Sequence, residues 1–117
     1  MIHGWNLTNT KLAMSNVMKD IHKWAVEKGF WNNIDDNNPG LKIALMHSEL
    51  SEALEALRHD CPKDEHCPEF GNLEIELADC VIRIFDFCGK RGINLPEAIA
   101  AKMNYNLTRP YKHGKKF

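Results

Sequence analysis

A chain of 117 residues fits one domain and is long enough to bury a core without disulfide or metal staples. Its 44% hydrophobic and 26% charged residues are ordinary for a soluble globular protein, and a net charge of −1 supplies no bulk field for nucleic acid or a membrane surface. No apolar run approaches the roughly 18 residues of a spanning helix, and the start MIHGWNLTNTKL has neither the basic nor the apolar region of a secretory signal, so a cytoplasmic chain is expected.

The pattern predicts four helices in a single all-α domain over residues 1–117. The first runs from about Leu7 to Lys28, with Met14, Val17, Met18, Ile21, Trp24 and Ala25 at helical spacing and Gly29 as the stop. The turn-rich loop WNNIDDNNPG follows. A second helix is predicted from about Leu41 to Arg58, with Ile43, Leu50, Leu54 and Leu57 as its core stripe and Met46 and Ala53 on the flank.

The segment HDCPKDEHCPEF carries two prolines and reads as a loop. Cys61 and Cys67 with His59 and His66 could in principle gather zinc, but their spacing matches no common zinc pattern, and a plain polar loop is the reading adopted. In a cytoplasmic chain the triplets Asn6-Leu7-Thr8 and Asn106-Leu107-Thr108 are chance matches to a glycosylation signal.

A third helix spans about Asn72 to Arg91. It carries one apolar stripe of Leu73, Leu77, Val81, Ile84 and Cys88 and another of Ala78, Ile82 and Phe85, so it should be sandwiched by its own bundle or by a second subunit. Cys80 and Cys88 read as reduced thiols packed within it. Asn94 and Pro96 open a fourth helix that continues to about Thr108, ahead of the basic tail RPYKHGKKF. The second and third helices should lie antiparallel across their loop.

The chemistry is expected where acids recur at intervals of three. Glu49 and Glu52 sit off the core stripe of the second helix. On the third helix, at about 100° per residue, Glu76, Asp79, Arg83 and Asp86 share one wedge amid apolar neighbours. The ordinary explanation is an intrahelical pair between Asp79 and Arg83, worth about 0.2–0.5 kcal/mol. One cation cannot neutralise four carboxylates, however, if the two helices bring them together. Four carboxylates without cysteine or histidine form a hard oxygen site suited to Mg²⁺ or Mn²⁺. A di-iron bundle would need Glu-x-x-His, which occurs nowhere in the chain. On the fourth helix Lys102, Asn106 and Arg109 share a face, with Tyr105 adjacent. Metal on one side and fixed cations on the other is what a polyphosphate requires.

Glu49-x-x-Glu52, Glu76-x-x-Asp79 and the ending KMNYNLTRPYKHGKKF together resemble the MazG-like all-α nucleoside triphosphate pyrophosphohydrolases, over roughly residues 28–117. The resemblance implies Mg²⁺-dependent cleavage of a nucleoside triphosphate between its α and β phosphates, in a helical bundle that assembles into dimers or tetramers. It implies Glu49, Glu52, Glu76 and Asp79 as metal ligands, and Lys102, Asn106 and Arg109 near the phosphates or sugar. Trp31 is a candidate for stacking on the base. Many members read Glu-Glu-x-x-Glu where Ser48 stands here, so Glu52 or Glu49 is expected to take the proton of the attacking water, with Glu55 a lesser candidate. The competing class is a non-catalytic, metal-stabilised bundle that binds a nucleotide or a partner protein. A nucleic-acid binder is disfavoured by the near-neutral charge and the lack of other basic helices.

Overall fold

The computed structural model describes residues 8–117, the side chain of Asp36 excepted; the expected helix start at Leu7, the first two residues of the Asn6-Leu7-Thr8 triplet and most of the N-terminal segment lie outside them. Four α-helices form the frame: α1 (Thr8–Glu27), α2 (Pro39–Arg58), α3 (Asn72–Arg91) and α4 (Leu95–Leu107). Short 3-10 turns at Ile34–Asn37 and Tyr111–Gly114 tighten the first loop and the tail. Among the described residues no strand forms beyond one isolated bridge between Lys63 and Gly71, and no helix is long and apolar enough to cross a membrane.

Local chemistry explains the boundaries. α2 begins two residues earlier than its apolar pattern predicts, because Asn38 caps it: its Oδ1 accepts from the Gly40 and Leu41 amides at 2.9 and 3.2 Å, and Pro39 fills the first turn, where a missing N–H costs nothing. α3 stops at Gly92, which takes the left-handed conformation at φ 66°. Asn94 caps α4 through the Glu97 amide. In the proline-rich loop, Asp64 Oδ2 accepts from the His66 and Cys67 amides at 2.9 and 2.8 Å, folding the segment on itself.

α2 and α3 are antiparallel neighbours. Cys80 Sγ donates to the Met46 carbonyl, Glu49 meets Glu76, and Pro39 and Lys42 share a cleft with Phe87 and Lys90, so numbers fall along one helix as they rise along the other. α1 packs across α3, and Gly89 leaves room there for the His22 side chain. α4 docks on α1, with Lys11 Nζ 2.9 Å from Glu97 Oε1.

The buried core differs from the expected one. On α2 the buried residues are Ala53 and Ala56, whereas Ile43, Leu50, Leu54 and Leu57 remain 43–56% exposed. The small flank lets α2 approach α3 closely, and no described element covers the larger side chains. On α3, Cys80 and Cys88 are buried while Leu77 and Val81 are 44% and 46% exposed. At about 100° per residue, the α2 leucines and Leu77 of α3 lie on the side of the helix pair away from Glu49 and Asp79. One side of the α2–α3 layer is thus acidic and the other apolar.

Candidate functional site

The acidic side assembles from two helices. Glu49 on α2 and Glu76 and Asp79 on α3 each offer a carboxylate oxygen within 4.8 Å of the others. All three are part-buried, the Glu49 side chain to 13% exposure. Burial, a hydrogen bond with Glu49 and the charges of Glu49, Asp79 and Glu52 push the Glu76 carboxyl up to about 7. A carboxyl–carboxylate hydrogen bond of this kind holds one shared proton where two adjacent charges would repel. Asp79 is raised as well, by burial, then by Glu49, with Arg83 pulling the other way and Asp64 adding to the rise.

Three of the four expected ligands therefore converge. Glu52, one turn beyond Glu49, is exposed and outside that group, yet near enough for its charge to raise Glu76. Glu55 points elsewhere: it pairs with Arg58 at 2.9 Å and His59 at 3.5 Å on the open surface. The Ser48 hydroxyl turns back to its own helix and donates to the Leu45 carbonyl at 2.6 Å. Among the described residues, His59, Cys61, His66 and Cys67 form no comparable group of metal donors.

Arg83 does not make the intrahelical pair that its spacing from Asp79 suggests. Its Nε donates instead across the helix pair to Glu49 Oε1 at 2.9 Å. The i,i+4 spacing could reveal only the partner on its own helix; the interhelical one needed the fold.

Beside the carboxylates lies a cleft of about 240 Å³, walled by Trp24 and Phe30 and edged by Lys42, Glu49, Asp79 and Arg83. The Trp24 and Phe30 rings pack 5.6 Å apart at their centroids. Helical spacing places Trp24 in the core stripe of α1, but its ring is 48% exposed at this opening. Trp31, the expected stacking residue, stands differently. Its Nε1 donates to both oxygens of Asp86 at 3.0 and 3.1 Å, His22 meets the same carboxylate at 2.8 Å, and Lys42 Nζ lies 4.1 Å from the ring centroid. That pinned indole lines a second, adjoining cleft with Lys42, Lys90 and Arg91.

The α4 residues form a separate surface within one chain. Lys102 and Arg109 flank the Tyr105 ring at 4.8 and 5.6 Å, and Asn106 is half-buried, its Oδ1 without a hydrogen-bond partner. The tail turn lies within electrostatic reach, since slight desolvation and then the charges of Arg109, Lys115 and Lys102 lower the His113 pKa. Among the described residues no ion pair joins this face to Glu49, Glu76 or Asp79, and none of its residues lines the acidic cleft.

Comparison with protein-family models, curated proteins and solved structures returns no match.

The donor set fits a hard divalent cation. It consists of carboxylate oxygens from two helices, with one arginine paired to Glu49 and with the Glu76 carboxyl raised by burial and by its acidic neighbours.

Proposed function

We propose that this chain is a Mg²⁺-dependent nucleoside triphosphate pyrophosphohydrolase of MazG-like kind, cleaving its substrate to a nucleoside monophosphate and pyrophosphate in cytoplasmic nucleotide house-cleaning. The observation that carries the reading is the convergence of Glu49, Glu76 and Asp79 beside a cleft that also bears cations and aromatic rings. Glu49, Glu76 and Asp79, with Glu52 beside them, would hold Mg²⁺ or Mn²⁺, which supplies charge screening for the phosphates and a more acidic water.

The chain's own groups then divide the remaining work. Glu52 is solvent-facing and paired with no cation among the described residues, which suits it to take a proton from the water that attacks phosphorus. Glu49 is already engaged by Arg83 and Glu76, and so is the poorer base. Lys102 and Arg109 are assigned to the phosphates, with Asn106 and Tyr105 beside them and Trp31 near the base. The exposed apolar side of α2 and α3 is assigned to a second copy in a homodimer or tetramer.

The rival is a non-catalytic, metal-stabilised module that binds nucleotide or a partner, and the Arg83–Glu49 bond favours it by neutralising part of the cluster without an ion. Pyrophosphate release from a panel of common nucleoside triphosphates with Mg²⁺ separates the two. Asp79→Asn should abolish that release while leaving the helical far-ultraviolet signal intact. Near-normal turnover by Asp79→Asn would mean that the carboxylates are structural.

A further inference from the structure

We propose that Arg83 and Lys42 receive the triphosphate in the α1–α2–α3 cleft, with Arg83 exchanging Glu49 for a phosphate when Glu49 is drawn to a divalent cation. This rests on the pyrophosphohydrolase reading and names phosphate-binding residues which that reading, with its phosphate contacts on α4, does not contain.

Placement comes first. Lys42 and Arg83 line the same cleft as Glu49 and Asp79, whereas no α4 residue does. A polyphosphate held by a cation at these carboxylates would share the cleft with both basic groups. Asp86, the other acid of the cleft, has its oxygens engaged by Trp31 and His22 and so leaves Lys42 and Arg83 to other anions.

Availability comes second. Arg83 is held to Glu49 through Nε alone, and among the described residues its two terminal nitrogens carry no hydrogen bond. Those nitrogens form the planar fork that matches phosphate oxygens, and the side chain is 39% exposed. Lys42 Nζ rests on the Trp31 ring and near the Phe30 carbonyl at 3.4 Å, paired with no carboxylate among the described residues.

The pair with Glu49 is the device that couples the two ligands. A carboxylate that ligates a dication holds a neighbouring guanidinium less strongly, and the dication repels it. Arg83 then needs another anion within its reach, and the cleft is where one would arrive. Metal and nucleotide should therefore bind with positive coupling through this residue.

Calorimetric titration tests this without relying on turnover. Mg²⁺ alone, and then the α,β-imido analogues of the four common deoxynucleoside triphosphates at saturating Mg²⁺, are titrated into wild type, Arg83→Met, Arg83→Lys and Lys42→Met. Arg83→Met should bind Mg²⁺ about two- to ten-fold more tightly, because a competitor for Glu49 is gone. The same variant should bind the preferred analogue about ten- to a hundred-fold more weakly. Lys42→Met should weaken the analogue without tightening Mg²⁺, and Arg83→Lys should fall between Arg83→Met and wild type for both ligands. A purely structural Arg83 predicts analogue binding unchanged at saturating Mg²⁺, and that result overturns the assignment. Unchanged Mg²⁺ affinity in Arg83→Met overturns the exchange. Should wild type take up neither Mg²⁺ nor any analogue, the pyrophosphohydrolase reading itself fails.

Discussion

Glu76 shows how a single side chain reports on the whole constellation. Its carboxyl is raised from the ordinary 4.5 to about 7 by burial and by its acidic neighbours. Between those values the unfolded chain releases a proton that the folded chain keeps, so metal-free stability should fall as pH rises from about 4.5 to 7 and level off above. The loss should amount to roughly 1–3 kcal/mol, with Asp79 adding in the same direction. Urea midpoints in EDTA across pH 5 to 8 measure it, and Glu76→Gln should flatten the slope. Millimolar Mg²⁺ should restore stability at pH 8, because a ligand that binds only the folded state stabilises it. A flat profile for the wild type in EDTA would mean that Glu76 ionises freely and that the carboxylates are not crowded. Lys102 and Arg109 make a different test, since among the described residues no ion pair joins them to a carboxylate of the cluster. If they meet charge that grows on the leaving pyrophosphate, Arg109→Ala and Lys102→Ala should each lower kcat/KM about ten- to a hundred-fold, with the loss in kcat. Turnover indifferent to both would leave the phosphate to cations of the α1–α2–α3 cleft.

At the scale of the helices, the sequence was most legible where local rules act alone. Gly92 closes α3 and Asn94 caps α4 where composition predicts, and Glu76 and Asp79 lie together on α3 as their spacing suggests. Partners across helices were beyond it: Arg83 chose Glu49 over Asp79, and Trp31 was drawn to Asp86, because those choices depend on the height at which α1, α2 and α3 dock. The core stripe of α2 was misplaced for a related reason. Hydrophobic periodicity marks the face that wants burial, whereas close packing of two helices selects small residues, here Ala53 and Ala56. Gly89 is the element-scale counterpart on α3. A Cβ there would stand 2.7 Å from His22 Cβ and 3.1 Å from Cγ, atoms close to the α1 backbone that cannot swing away. Gly89→Ala gains about 1 kcal/mol of helix propensity but forces α1 outward, at a cost of about 1–3 kcal/mol. The net should be a loss of up to about 2 kcal/mol, with the His22–Asp86–Trp31 group displaced. A thermal melt reads it, and a variant as stable as wild type would show that the helices need not approach so closely.

Taken as one body, the chain has more surface than its mass warrants. Its accessible area is 8752 Å², against roughly 6,500 Å² for a compact monomer of this size. Its radius of gyration is 16.8 Å, where about 13 Å is usual. Apolar side chains are among what is exposed: on the α2–α3 side away from the acids, Leu50, Leu54 and Leu57 are 48%, 49% and 56% exposed. Ile82, one of the α3 residues that the sequence suggests for a contact, lines the cleft instead, and Phe85 is half-buried. An interface is therefore better sought on the leucine side. A face of this kind is costly to leave in water, and a second copy placed isologously would cover it with the same residues. At micromolar concentration the protein should sediment at no less than twice its 13.4 kDa chain mass. Leu54→Glu combined with Leu57→Glu should shift it toward the single chain, since two carboxylates would be trapped at an apolar contact. In a monomer the same substitutions fall on exposed positions and should cost little, so retained helicity in the smaller species separates dissociation from unfolding. A wild-type protein that sediments as a 13.4 kDa species would show that these leucines remain in solvent and that the chain does not assemble through this face.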